Sequence, residues 1–156
     1  MINITRFFIK LLPSKPVFAH CDIPCGIYDP HEAQLAAHTI IRMTNLINDA
    51  SGDVHKIARC TRVKEEHAER VEKELETLWA DYFKEEHLKD YPNLHDLIWK
   101  AIKLSGKVRQ EVNPEAAGDL LKSVQEIAEI FWKTKGMESV RIPSGYPTEG
   151  EIVSHS

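Results

Sequence analysis

The segment DPHEAQLAAHTIIRMTNLIN, residues 29–48, carries the clearest helix signals of the chain. Asp29 offers a carboxylate N-cap, Pro30 suits the first helical position, and Glu32 completes a capping box. The apolar residues that follow at helical spacing are Leu35, Ile40, Met43, Leu46 and Ile47. We therefore predict that a first helix begins at Pro30 and ends before the breaker Ser51-Gly52-Asp53.

Three more amphipathic patterns follow the first helix. The second runs from Val54 to about Lys89, and its length predicts a bend or break near its C-terminal end. The third starts after Tyr91-Pro92, and the fourth starts at the cap-plus-proline pair Asn113-Pro114. With no convincing strand, these patterns predict an all-α fold, an antiparallel (up-down) four-helix bundle over residues 30–135.

The C-terminal segment, residues 136–156, is rich in Gly, Pro and Ser, and no helical periodicity continues into it. We expect a flexible tail or a loose surface arm there. At 156 residues the chain is long enough for one core, and its formal net charge of -4 does not favour a nucleic-acid partner. No apolar run approaches the roughly 20 residues needed to span a bilayer.

The N-terminal segment, residues 1–19, contains two basic side chains and a short apolar patch, and it ends in VFA. Val17 and Ala19 lie three and one residues before His20, which is the pattern of a small-residue cleavage site. Because the apolar region is short and interrupted, a removable propeptide of a cytoplasmic protein is favoured over an export signal. A disordered N-terminus is the remaining alternative.

The segment that would follow such a cut is HCDIPCGIYDP, residues 20–30. His20, Cys21 and Cys25 place an imidazole and two thiols within six residues, while Pro24 and Gly26 permit a tight reversal. The C-x3-C pair alone also fits half of a zinc site or a local disulfide. Zinc would require a second pair of ligands, and the one other cysteine of the chain, Cys60, stands alone in a helical pattern.

Cleavage before His20 would add an α-amino group to these donors. The amine, the backbone nitrogen of Cys21 and the thiolates of Cys21 and Cys25 would form a planar N2S2 set. Square-planar sites of this kind suit Cu(II) or Ni(II). The imidazole of His20 could then occupy an axial position.

Three stretches resemble the nickel-containing superoxide dismutase family. They are HCDIPCGIYDP (20–30), WADYFKEEHLKDYPNLH (79–95) and IFWKTK (130–135), so the resemblance covers roughly residues 20–135. It implies an oxidoreductase that converts superoxide into dioxygen and hydrogen peroxide with one nickel ion per subunit, alternating between +2 and +3. It also implies residues 20–29 as a nickel hook, a maturation protease, and a homohexamer in which neighbouring subunits close over each hook.

The same resemblance assigns roles to individual residues. His20 would supply the amine and the axial imidazole, Cys21 a backbone nitrogen and a thiolate, and Cys25 the second thiolate. Asp22 would hold backbone amides of the hook. Tyr28 and Tyr82 would stand near the open axial face, where they would order the anion or a water; for both, the alternative is a packing residue.

Two features of the sequence depart from the family pattern or add to it. The glutamate and arginine that support the axial imidazole in well-known members correspond to Ala36 and His67 here, and His67 either replaces that support or lies on a charged helix face. Because the net charge is negative, attraction of superoxide must be local, and Lys84 and Lys89 are the candidates.

Two other classes of protein compete with this interpretation. A non-catalytic metal-binding or thiol-redox helical protein would use the same cysteines to store or sense a transition metal. A purely structural interaction module would leave the hook without a purpose.

Overall fold

The structure is a computed structural model that describes residues 26–156. Its helices are α1 (His31–Asn48), α2 (Val54–Thr77), α3 (Glu85–Asp90), α4 (Leu94–Gln110) and α5 (Pro114–Thr134). A π-helical turn, Leu78–Tyr82, continues α2. Strands β1 (Ser139–Pro143) and β2 (Glu151–His155) form a two-stranded antiparallel sheet after α5. No helix within residues 26–156 is long and apolar enough to cross a membrane.

The four long helices pack in a closed ring. Helix α1 contacts α2 and α5, and α4 contacts the same two helices from the opposite side. In the α2–α4 pair, Lys64 contacts Val108 while Ser105 donates to the carbonyl of Ala68, so the two helices run in opposite directions. The predicted helical fold is therefore confirmed, with a small sheet added to it.

The predicted helix boundaries agree closely with the structure. Helix α1 begins at His31 rather than at Pro30, and the Asp29 carboxylate accepts a hydrogen bond of 2.7 Å from the His31 N–H. The break predicted near the end of the second pattern is the π-helical turn, after which Phe83 is extended. At α5, the Asn113 side chain accepts from the Ala116 N–H at 3.0 Å, as a cap residue should.

The buried face of α1 differs from the apolar stripe that its sequence suggests. Its fully buried apolar residues are Ala33, Ala36, Ala37 and Ile40. The larger side chains predicted to be buried, Leu35, Met43, Leu46 and Ile47, are half-buried. Alanine methyl groups keep the neighbouring helices close, so the small residues form the contact and the larger ones lie at its edges.

The prediction of a flexible tail is wrong for residues 139–155, and so is the absence of strands. In the hairpin Ile142 pairs with Ile152, and Val153 is buried against the helices at 3% exposure. The Gln34 side chain of α1 accepts from the Val153 N–H at 2.7 Å and donates to the Val153 carbonyl at 3.0 Å. Arg141 adds a 2.7 Å ion pair to Glu129 of α5. The hairpin is thus fixed by polar contacts that periodicity does not detect.

His38 of α1 is the second residue that holds the hairpin. It is 2% exposed, its Nε2 lies 3.1 Å from the Glu151 carbonyl, and its Nδ1 lies 2.9 Å from Thr148 Oγ1. Because a carbonyl only accepts, Nε2 carries the proton and Nδ1 accepts from the threonine hydroxyl. Burial lowers the pKa of His38, and the hydrogen bond to Glu151 opposes that shift.

We expect acid to destabilise the fold through His38. Its folded pKa lies below the ordinary 6.5, so the unfolded chain binds a proton first as the pH falls, and the free energy of unfolding decreases below about pH 6.5. The substitution His38→Gln should flatten this decrease, because the amide keeps one donor and one acceptor without titrating. Urea denaturation between about pH 7.5 and 5.5 measures it, with exposed His55→Gln as the control; equal slopes for both variants would contradict the assignment.

Lys64 of α2 is a buried cation that caps another helix. It is 1% exposed, and its Nζ donates to the carbonyls of Val108, Arg109 and Glu111, the last two at 3.0 Å. These carbonyls belong to the C-terminal turn of α4, where the helix dipole favours positive charge. Burial lowers the pKa of Lys64, because the ammonium group loses contact with water. The three carbonyl contacts compensate for that loss.

The substitution Lys64→Met should therefore destabilise the protein by about 2–4 kcal/mol, because it removes the donor from three carbonyls at the end of α4, that of buried Val108 among them, while preserving side-chain volume. The midpoint of urea denaturation measures the loss. Lys73→Met, at an exposed position of the same helix, should change the free energy of unfolding by less than about 0.5 kcal/mol. A similar effect for both variants would show that the capping contacts contribute little.

Candidate metal centre

The predicted nickel ligands His20, Cys21 and Cys25, together with Asp22, lie outside the described residues. The description begins at Gly26, just before the chain enters α1. Within residues 26–156, no group of three or more His, Cys, Asp or Glu side chains could hold a metal ion. The structure therefore describes the last four residues of the predicted hook, 26–29, and the bundle behind them, and the ligand set itself stays a prediction.

Two tyrosines far apart in sequence meet at the entry to α1. The rings of Tyr28 and Tyr82 are tilted by 54° with centroids 5.7 Å apart. Both are half-buried and pack against the helical core. The two phenols that the family resemblance places near the metal therefore lie beside each other, Tyr28 within the predicted hook of residues 20–29 and Tyr82 on the helical bundle.

The hydroxyl of Tyr82 has a defined hydrogen-bond direction. It lies 2.8 Å from Thr134 Oγ1, and that threonine hydroxyl donates to the Phe131 carbonyl at 2.7 Å. Since threonine has one proton to donate, Tyr82 is the donor to Thr134. Burial raises the pKa of Tyr82, and the contact with Thr134 opposes the shift. The phenol therefore remains protonated throughout the physiological pH range.

Aromatic packing fixes the position of the Tyr82 ring. Its centroid lies 4.5 Å from Phe131, 5.2 Å from Phe83 and 5.6 Å from His87, whose imidazole is nearly parallel to it. The Nδ1 of His87 accepts from the Lys84 backbone N–H at 3.1 Å, which orients the imidazole. The π-helical turn ends at Tyr82, and turns of this kind are frequent at functional sites.

A lysine that the sequence interpretation missed completes this cluster. The Nζ of Lys135 lies 3.3 Å from the Tyr28 carbonyl, 4.5 Å from the Phe131 ring centroid and 5.8 Å from the Tyr82 centroid. The sequence does contain an indication of this contact. In IFWKTK, Phe131 and Lys135 are four residues apart and share a helix face, so the lysine can reach the ring.

The other sequence candidates lie in different surroundings. Lys84 and Lys89 are exposed, at the start and in the last turn of α3. Ala36 is fully buried among the core residues, so no polar support comes from it. The Nδ1 of His67 donates to the Val63 carbonyl of its own helix at 2.8 Å. This backbone contact is what a packing histidine on α2 would make.

The chain was compared with known protein families, curated proteins and solved structures. The family model described as nickel-containing superoxide dismutase matches residues 15–135. Superoxide dismutase [Ni] of Streptomyces seoulensis is 37% identical over 123 residues, covering 79% of this chain and 93% of the relative. The corresponding protein of Streptomyces coelicolor is 35% identical with the same coverage.

Solved structures give the same result for the fold. One nickel-containing superoxide dismutase, with nickel ligation corresponding to the oxidized state, has a TM-score of 0.70 and 37% identity. It is covered over 99% of its length by 75% of this chain. An apo structure of the enzyme has a TM-score of 0.66 and 32% identity, with coverage of 71% of this chain and 99% of that one.

The family match ends at residue 135, so the hairpin lies beyond it, while the tyrosine pair lies within it. The match includes both the predicted hook and the four long helices. The chain belongs to the nickel-containing superoxide dismutase family.

Proposed function

We propose that this protein is a nickel superoxide dismutase, which converts two superoxide ions and two protons into dioxygen and hydrogen peroxide. The observation that carries the proposal is the family match across residues 15–135, which includes the ligand segment and the helices behind it. The tyrosine pair at the entry to α1 supports it, because Tyr28 of the predicted hook contacts Tyr82 of the bundle.

The donor chemistry of the hook fits nickel. The amine and imidazole of His20, the backbone nitrogen and thiolate of Cys21, and the thiolate of Cys25 would hold one nickel ion per subunit. Bound there, nickel would supply one-electron transfer by cycling between its +2 and +3 states. Asp22 would hold backbone amides of the hook so that the donors converge.

The tyrosines would act on the substrate and its protons. Tyr82 donates its own proton to Thr134, so its oxygen keeps lone pairs that can accept from a water or from the hydrogen peroxide product. Its raised pKa keeps the phenol neutral, which avoids repulsion of an anionic substrate. Tyr28, 5.7 Å away, would form the other side of the approach to the metal.

Maturation and assembly complete the proposal. A protease would remove residues 1–19, and the mature subunits would form a homohexamer in the cytoplasm whose neighbours cover each hook.

Processing gives the direct test of the function. We expect the protein isolated from its source to begin at His20, to contain one nickel per chain and to show the magnetic resonance signal of oxidised nickel. A chain that keeps residues 1–19 lacks the amine and should be inactive. A protein that starts at Met1 and binds zinc without dismutating superoxide would instead support the metal-storage or thiol-redox alternative.

The cysteines allow a matched comparison within the mature chain. Cys25→Ser should lose nickel, and its activity should fall at least about 100-fold. Removal of one critical interaction at a metal or catalytic site typically has an effect of roughly this size. Cys60→Ser should retain both, because Cys60 is a free, half-buried thiol of α2. Nickel content and superoxide decay after a radiolytic pulse measure the two effects. Full activity in the Cys25 variant would contradict the ligand assignment.

Tyr82 allows a test of the phenol. Tyr82→Phe should lower kcat/KM by roughly three- to tenfold with nickel content unchanged, because the ring stays packed while one hydrogen-bonding group near the substrate is lost. Tyr146→Phe, in the hairpin loop, is the control and should leave the rate unchanged. If the Tyr82 variant matched the parent at every pH, the residue would be a packing residue only.

A further inference from the structure

Lys135 is held at the point where α5 ends. It is the C-cap residue, and the next residue, Gly136, has a φ of +72°. The Gly136 N–H donates to the Lys133 carbonyl at 2.9 Å, and the Met137 N–H donates to the Trp132 carbonyl at 3.0 Å. These bonds form a glycine-terminated helix end of the kind that fixes the last turn. The backbone of Lys135 is therefore well defined, although its side chain is exposed.

The ammonium group of Lys135 lies over a wall of aromatic rings. Its Nζ is 4.5 Å from the centroid of Phe131, 5.6 Å from that of Trp132 and 5.8 Å from that of Tyr82. The negative faces of the rings attract the cation and hold it on this side of the helix. A flexible lysine is thereby restricted to one place beside the tyrosine pair.

The same ammonium group binds the backbone near the C-terminal end of the predicted hook. Its Nζ donates to the Tyr28 carbonyl at 3.3 Å, across 107 residues of sequence. Within residues 26–156 no carboxylate forms an ion pair with Lys135, whereas Arg62, Arg109 and Arg141 are each paired with at least one carboxylate. Its positive charge is therefore not cancelled by a partner in the described chain.

We propose that Lys135 is the positioning and guiding cation of the metal centre: it holds the chain at Tyr28 and attracts superoxide towards the packed pair of Tyr28 and Tyr82. This inference rests on the proposed dismutase function. It adds Lys135 to the candidates Lys84 and Lys89, of which Lys84 contacts the cluster through its backbone N–H, which donates to His87.

The size of the effect follows from charge and distance. The chain carries a formal net charge of -4, so an approaching anion meets overall repulsion and depends on local positive charge. A unit charge about 6 Å from the path of the anion, at the intermediate dielectric of a protein surface, changes the local anion concentration by roughly three- to tenfold at low salt. Screening removes most of this effect when the Debye length falls below about 5 Å.

The test uses the mature, nickel-loaded enzyme and compares Lys135→Gln with the parent over a range of ionic strength. We expect kcat/KM of Lys135→Gln to be roughly three- to tenfold lower at about 10 mM salt and to approach the parent above about 0.5 M. Lys135→Arg should recover most of the rate and of its salt dependence, because it restores the charge. Lys135→Met, which keeps the apolar stem over the rings, should behave like Lys135→Gln.

Lys133→Gln is the matched control, because Lys133 is exposed on the same helix turn and has the same charge. It should leave the salt dependence unchanged. The proposal is overturned if Lys135→Gln and Lys133→Gln have the same salt dependence, or if Lys135→Arg is as impaired as Lys135→Gln.

Nickel content and circular dichroism, measured on every variant, separate guidance from loss of the hook or of the fold. An active parent with an unaffected Lys135→Gln variant would overturn the role of Lys135 and leave the proposed function intact. A nickel-loaded parent without activity would overturn the proposed function, and the role of Lys135 with it.

Discussion

The close contact that α1 makes through its alanines is the constraint on which the rest of the structure depends. Ala33, Ala36 and Ala37 are fully buried, so α1 lies tightly against its neighbours and has little freedom to shift or rotate. Because the chain enters α1 directly after Tyr28, this packing also determines where the predicted hook leaves the bundle. The position of the tyrosine pair is therefore a consequence of helix packing, and a metal held by residues 20–25 would gain a rigid support on one side.

Local signals in the sequence predicted most of the helical framework. The cap at Asn113 is confirmed by a hydrogen bond, because a capping side chain and the N–H that it satisfies lie within a few residues of each other. At the first helix the N-cap is Pro30 without a side-chain cap, and Asp29 accepts from the His31 N–H. The hairpin was not predicted, because its stability comes from distant partners. Gln34 and His38 have the composition of a solvated helix face, yet each pairs with a strand more than 100 residues away.

At the candidate site, too, one feature was predicted from the sequence and another was not. The meeting of Tyr28 and Tyr82 followed from the family resemblance rather than from periodicity, which marks both residues only as amphipathic packing positions. Lys135 was not predicted, because an exposed lysine at a helix end is usually a solvated surface side chain. Its contacts with the Tyr28 carbonyl and the aromatic rings exist only once α5 and the entry to α1 are side by side.

The pairing of Gln34 with Val153 also has a consequence for the order of events during synthesis. Helix α1 precedes β2 along the described chain, and the two residues are separated by 119 positions. Contacts of such high sequence separation form late, since a long loop must close before they contribute. The face of α1 that carries Gln34 and His38 therefore stays uncovered until β2 has been synthesised and has folded back onto it.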